Sequence, residues 1–544
     1  MRSIQRGSRV PWASALVLAL ALVLGGCGGA ASGKGGGRIA SQPVSGGTLV
    51  WGRGSDAVGL DPAHETDGES YKVCDNIYEN LVAYDSASTQ VVPELATSWE
   101  ISPDGKSYTF HLRQGVRFHD GSAFNAAAVV FSLDRQHTKT HPFHAVGGPY
   151  TYWDSMSMSD IIDHILAADD STVVFHLKRP NAPFLANLAM NFAMIVSPTA
   201  VAKDRDDYFK HPVGTGPFRF VEWVKDDRIV LERNPEYWGQ KPYLDRVVFK
   251  SIPENTVRLL ALTKGDVQGM DGISPLEARR IQNSAGLELY RIPGMNVAYL
   301  AMRMDMKPFD KLEVRQAMNY AIDKKSLVEG LYMGFGTPAV NPIPPSMWSY
   351  DKAIADYGYD PAKAKSLLAQ AGVAPGTKFT LYAMSASRPY MPEPLKVAEA
   401  IQANLRAVGL DADIRTMEWG AYLDYIQHLK HQVCIIGWQG DNGDPDNFFY
   451  PLLDKEAARI PAQNYSNYQS DALHQVLVQA QSSSDPATRT QLYEKAQEIV
   501  HADLPWVPLA HMDLLNATRK TVHGFVPHPT SKLRLKGVWV EPST

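Results

Sequence analysis

Two hydrophobic rhythms divide the chain. In the first half, Ser107-Tyr-Thr-Phe-His-Leu112 follows the turn Ser102-Pro-Asp-Gly105, and Thr172-Val-Val-Phe-His-Leu177 follows Asp169-Asp170. Apolar and polar residues alternate in both, the period of a strand with one buried face. This part reads mainly as short strands joined by turns. The second half alternates helix and strand. Asp360-Pro361 supplies an N-cap and a proline at the first helical position, and Gly372 closes that helix. Ala364, Leu367, Leu368 and Ala371 share one face between them.

The next helix is predicted from Leu395, Ala398, Ile401, Leu405 and Val408, with Lys396, Glu399, Gln402 and Arg406 on the other face and Gly409 at its end. Leu410, Ala412 and Ile414 then alternate with Asp411, Asp413 and Arg415, as in a half-buried strand. Helix followed directly by strand is the unit of an α/β lobe. The expectation is an α/β protein with a strand-rich first part and a second lobe from about 294 to 507.

The N-terminus follows neither rhythm. Arg2, Arg6 and Arg9 precede a twelve-residue stretch from Ala13 to Leu24, then Leu24-Gly25-Gly26-Cys27. Such a stretch is too short for a bilayer, which needs about 20 apolar residues, and reads as a secretory signal peptide over 1–26. The Leu-Gly-Gly-Cys ending resembles the bacterial lipobox, which implies acylation of Cys27 and a membrane-surface protein. Residues 27–46 are glycine-rich and read as a tether.

Composition narrows the function. The 544 residues include 53 basic and 58 acidic ones, for a net charge of −5. Losing the three arginines of 1–26 takes this to −8, which disfavours nucleic acid as a partner. Besides Cys27 the only cysteines are Cys74 and Cys434, free or paired. No nucleophile elbow, zinc helix, Cys-x-x-Cys or dinucleotide fingerprint occurs, so neither an enzyme nor a cofactor is expected. His141 and His144 sit in a proline-containing loop that reads as surface rather than metal site. Gly440-Asp-Asn-Gly-Asp-Pro-Asp-Asn-Phe-Phe449 has the acids of a calcium loop. Counted from Asp441 or Asp444, however, Leu452 or Lys455 stands where an EF-hand needs glutamate.

That acidic segment follows Ile435-Ile436-Gly437-Trp438, the end of a buried strand. A second loop, with Arg388-Pro-Tyr390, follows the strand Lys378 to Ala383. Loops at the carboxyl ends of strands are where α/β lobes bind ligands. Arginine there offers a bidentate fork for a carboxylate, and aspartate suits a cation. Together they match a zwitterion such as a short peptide.

On these residues the chain resembles the peptide-binding family of solute-binding proteins that serve ABC importers. Pro93-Glu-Leu-Ala-Thr-Ser-Trp99, Asp104-Gly-Lys-Ser-Tyr-Thr-Phe-His-Leu-Arg113, Gly214-Thr-Gly-Pro-Phe218 and Val314-Arg-Gln-Ala-Met-Asn-Tyr-Ala-Ile-Asp323 carry the resemblance, which spans roughly 46–540. Arg388-Pro-Tyr390 and Gly437 to Phe449 resemble its dipeptide binders in particular.

The resemblance implies a two-lobed periplasmic-binding-protein clamp of type II with an enlarged, strand-rich first lobe. Lobe I would comprise 46–293 and 508–544, lobe II 294–507, with hinge crossings at Met295 to Met302 and Val507 to Leu515. Arg388 would hold the peptide carboxylate and Asp441 its α-ammonium, with Trp438 and Tyr390 as cleft walls. Thr66 and Gly68 would offer backbone contacts, although Asp67 between them departs from the small hydroxyl residue of the family. The expected protein is a monomer, lipid-anchored on the periplasmic or extracellular face, passing short peptides to an ABC permease. The same clamp with haem, glutathione, a metal chelate or an oligosaccharide is the alternative; a secreted hydrolase or adhesin is a more distant one.

Overall fold

The computed structural model describes residues 42–542 except Ala386. The signal segment, most of the tether and Cys27 lie outside the described residues.

Three sheets organise the chain. A mixed seven-stranded sheet runs, in spatial order, Leu287–Ile292, Leu514–Arg519, Gly269–Met270, Thr48–Arg53, Arg246–Ser251, Arg228–Arg233 and Phe218–Val224. A four-stranded antiparallel sheet comprises Ala96–Ile101, Ser107–Leu112, Thr172–Leu177 and Ile162–Asp169. The six-stranded sheet is drawn from Gly336–Pro338, Trp506–Met512, Asn296–Met302, Val433–Gln439, Thr377–Met384 and Leu410–Met417. Ser107–Leu112 and Thr172–Leu177 bury alternate residues as their period requires.

The six-stranded sheet is mixed. Thr377–Met384 lies parallel to both Leu410–Met417 and Val433–Gln439, through the helix Pro394–Ala407. Its middle strand Asn296–Met302 is buried at every residue, as is Trp506–Met512 beside it. Layers cover both faces, which is why these strands read as continuous apolar runs. Tyr299 and Trp506 stack between them, ring centroids 3.7 Å apart.

The chain passes between the seven- and six-stranded sheets at two adjoining places. Pro293, Gly294 and Met295 link Leu287–Ile292 to Asn296–Met302, and Asp513 alone links Trp506–Met512 to Leu514–Arg519. The Asn296 side chain clasps the two crossings: its amide donates to the Met512 carbonyl at 2.8 Å and its oxygen accepts the Met512 N–H at 2.8 Å. Gly294 is required there, because a Cβ would stand 2.0 Å from the Met512 carbonyl oxygen. The crossing expected as one strand from Val507 to Leu515 is therefore two. Asp513 interrupts it, its N–H donating to the Phe335 carbonyl at 2.8 Å and its carboxylate accepting Arg291 at 2.5 Å.

The helix Pro394–Ala407 also departs from expectation at one position. Val397, Ala398, Ile401 and Leu405 form its buried face, and Leu395 is 46% exposed. At about 100° per residue, Leu395 lies roughly 110° from the centre of that arc. Cys74 and Cys434 are free and buried, the first in the helix Gly68–Ile77 and the second in Val433–Gln439.

Candidate functional site

The loop after Val433–Gln439 is tightly anchored, and its acids are not equivalent. Asn442 donates to Asn187 Oδ1 at 2.8 Å. Asp444 accepts Arg489 at 2.8 Å. Asp446, the first residue of the helix Asp446–Leu453, accepts the Gln481 amide at 3.0 and 3.2 Å. These groups are consumed in holding the turn, which leaves Asp444 and Asp446 poorly placed as calcium ligands. Among the described residues no group of three or more His, Cys, Asp or Glu is placed to hold a metal ion.

Asp441 is different. Its Oδ1 accepts the Tyr152 hydroxyl at 3.2 Å, while its Oδ2 is buried without a hydrogen-bond partner. Among the described residues no cation lies within ion-pair distance of it. Lys532, whose field reaches it, is held by Asn191 at 2.6 Å and Asp75 at 3.2 Å. Burial therefore pushes the Asp441 carboxyl up to about 7, and the bond from Tyr152 only partly opposes this.

Asn447, which the sequence reading passed over, fixes both Asp441 and Trp438. Its Oδ1 accepts the Asp441 N–H at 3.0 Å and the Trp438 indole N–H at 3.1 Å. Tyr390 packs on the same strand end: a Cβ on Gly437 would meet its ring at 2.4 Å and the Val297 carbonyl oxygen at 2.4 Å. Glycine before Trp438 is thus the condition for seating Tyr390. Tyr390 in turn accepts the Tyr332 hydroxyl through its carbonyl at 2.9 Å.

Arg388 stands two residues before Tyr390 in a tight turn closed by reciprocal backbone bonds to Met391 of 3.1 and 2.9 Å. Its guanidinium lies 3.6 Å from the ring centroid of Trp419, at the start of the helix Trp419–Gln427. This cation–π contact orients the fork without neutralising it. Nε is buried and unpartnered, and burial lowers the guanidinium's proton affinity, with Tyr390 and Glu418 acting against that.

The first part of the chain supplies the aromatic floor. Tyr152, in the short helix Thr151–Ser155, meets Tyr71 of Gly68–Ile77 edge-on at 5.9 Å and stacks on Phe192 at 6.5 Å. Tyr71 donates its hydroxyl to the Glu65 carbonyl. Thr66 and Gly68 are exposed at the entrance to that helix, with open space where a Gly68 Cβ would project. Tyr152 and Tyr71 carry no motif, and only their fold contacts reveal them. Trp419 is likewise separated from Arg388 by a whole helix and strand. His141 and His144 serve locally: His141 accepts the Phe143 N–H at 3.2 Å, and His144 contacts the Arg135 carbonyl at 2.8 Å.

Residues 90–459 match the bacterial extracellular solute-binding proteins, family 5 Middle. The chain belongs to that family. This solute-binding protein is 40% identical over 507 residues to the dipeptide-binding protein of Escherichia coli strain K12, covering 91% of this chain and 95% of that one. It is 36% identical over 547 residues to haem-binding protein A of Haemophilus influenzae, covering 97% and 99%. Its fold matches the periplasmic binding protein DppA from Helicobacter pylori in complex with the peptide STSA, with TM-score 0.84, 42% identity and coverage of 92% and 99%. The two-lobed clamp of type II is thus the fold. Among the described residues no helix is long and apolar enough to cross a membrane.

Burial of Asp441 has a consequence for stability. Its carboxyl is raised in the folded protein to about 7, against about 4 unfolded. Between those values the folded protein keeps a proton that the unfolded chain has lost, so this group destabilises increasingly as pH rises and levels off above about 7. Asp441→Asn is expected to raise the melting temperature of ligand-free protein more at pH 8 than at pH 5. Equal gains at both pH values in differential scanning calorimetry would refute the assignment.

Proposed function

We propose that this solute-binding protein captures dipeptides or short oligopeptides between its two lobes and delivers them to the permease of an ABC transporter. The observation that carries this reading is the pair of uncompensated opposite charges, Arg388 and Asp441, each buried at a reactive atom without a partner. A zwitterion supplies both missing counterions: its carboxylate for the Arg388 fork and its α-ammonium for Asp441 Oδ2. Tyr390 and Trp438 wall the cleft, and Thr66 and Gly68 offer backbone contacts from the other lobe. The dipeptide-binding relative and the peptide-bound structural neighbour support the same ligand class.

A haem-binding relative of comparable coverage means that the fold alone does not choose the solute. The separated charges favour a peptide, because haem presents no ammonium for Asp441. The work is binding, not catalysis, and needs no metal or cofactor. Charge-assisted hydrogen bonds contribute about 1.5–3 kcal/mol each, so two held termini plus backbone contacts are compatible with micromolar affinity, about −8 kcal/mol.

Lobe I is assigned to 46–293 and 514–544 and lobe II to 294–512; the boundary expected after residue 507 moves to Asp513, because Trp506–Met512 runs in the six-stranded sheet. The paired crossings at Pro293–Met295 and Asp513 form the hinge on which an open form closes over its ligand. The protein is a monomer on the periplasmic or extracellular face, held to the membrane by acyl chains on Cys27 after removal of residues 1–26. With a net charge near −8 it has little electrostatic attraction to anionic lipid, so anchoring rests on those chains.

Two experiments test these assignments. Arg388→Ala and Asp441→Ala should each weaken binding at least tenfold in calorimetry against a dipeptide panel; unchanged affinity in both rules out this site. Cys27→Ser should move the protein from the membrane fraction to the soluble one. Persistent membrane association of that variant would rule out the lipid anchor.

A further inference from the structure

The two lobes also touch each other directly, through residues that the peptide site does not use. The turn 85–90 of lobe I meets the loop after Val433–Gln439 of lobe II. A Cβ on Gly443 would stand 1.9 Å from Thr89 Oγ1 and 2.3 Å from Thr89 Cβ, and its three nearest atoms would all belong to Thr89. A second strip of contacts comes from the lobe I segment 179–187. The Ala182 N–H donates to the Gln481 carbonyl at 2.7 Å, and Arg179 donates to Gln481 Oε1 at 3.2 Å. Asn187 Oδ1, in the helix Phe184–Leu188, accepts the Asn442 amide at 2.8 Å. Gln481, Asn442 and Asn187 are all buried. None of these bonds involves Arg388, Asp441, Trp438 or Tyr390.

Both sides of the Thr89 contact are braced. The Trp348 indole donates to the Gly443 carbonyl at 3.0 Å, and Asn442 Oδ1 accepts the Asp444 N–H at 2.9 Å. Opposite, the Asp85 N–H donates to the Gln90 carbonyl at 2.8 Å, and Nε2 of the buried His528 meets the Asp85 and Ser88 carbonyls at 3.1 and 2.9 Å. Gly443 is also outside the left-handed region of φ. Its own backbone therefore does not require glycine; the close approach of Thr89 does.

We infer that these contacts form a latch that closes the clamp without help from the solute, and that Gly443 is a positioning residue that sets how far the lobes close. Lobe-to-lobe bonds raise the fraction of protein in the closed, binding-competent form, and apparent affinity scales with that fraction whatever the solute. A side chain at 443 is a wedge: with both loops braced, its clash with Thr89 is relieved by opening the lobes. The inference rests on the peptide reading and lobe boundaries above and adds a determinant of affinity outside the residues assigned to the peptide.

Calorimetry on the full chain with Ala-Ala, Lys-Ala and Ala-Phe tests it, comparing the unaltered protein with Gly443→Ala and with the double variant Gly443→Ala/Thr89→Gly. Gly443→Ala should bind all three peptides at least tenfold more weakly, with losses equal to within twofold. Thr89→Gly removes the atoms that the new methyl meets, so the double variant should return to within threefold of the unaltered chain. Unchanged binding by Gly443→Ala overturns the inference, as does a loss that Thr89→Gly fails to restore or that differs widely among the peptides. Hydrogen exchange of the Ala182 amide in solute-free protein is the second readout. It should be at least fivefold faster in Gly443→Ala than in the unaltered chain, and slow again in the double variant. Equal exchange in all three proteins overturns the latch. Binding of none of the peptides by the unaltered chain overturns the peptide reading alone, and the exchange rates then decide the latch by themselves.

Discussion

The arrangement of the site depends on burying one oxygen of Asp441 without giving it a hydrogen-bond partner or a cation. A carboxylate so placed is costly, and the surrounding chain is organised to impose that cost. Asn442, Asp444 and Asp446 spend their side chains on Asn187, Arg489 and Gln481, which pins the loop at several points. Asn447 fixes the Asp441 backbone and the Trp438 ring with one oxygen. A single tyrosine hydroxyl then reaches one Asp441 oxygen, leaving the other free. On the proposed function such preorganisation would convert the burial penalty into affinity for an arriving cation.

The opposite charge is treated in the same way by different means. Arg388 is held by a tight turn and by the face of Trp419, neither of which offers an anion. Both charged groups project from the ends of adjacent parallel strands, Thr377–Met384 and Val433–Gln439. The aromatic floor that completes the Asp441 environment comes from the first part of the chain. Residues from both sides of the paired crossings therefore meet around Asp441, Tyr152 from one and Asn447 from the other. On the proposed function the electrostatics of Asp441 would depend on closure of the clamp, and the Asn296 clasp keeps the two crossings in register.

Much of this was legible in the sequence, for identifiable reasons. The alternating strands Ser107–Leu112 and Thr172–Leu177 and the capped helix Pro361–Gln370 express local periodicity and turn chemistry. Spacing alone puts Leu395 on the buried face because an apolar residue in a first helical turn fits several phases; packing against the sheet chooses Val397 instead. Arg388 and Asp441 were visible as charges in loops after strands. Tyr71, Tyr152, Trp419 and Asn447 were not, since their roles arise from contacts between segments far apart in sequence. The interruption at Asp513 was also hidden: it depends on Arg291 and Phe335, which approach only in the fold.

The most direct measurement is mass spectrometry of whatever is released when the protein, purified from its native envelope, is mildly denatured. A clamp built on one free guanidinium and one free carboxylate should release short peptides with unblocked termini. Release of haem, a metal chelate or an oligosaccharide in place of peptide would contradict the zwitterion clamp.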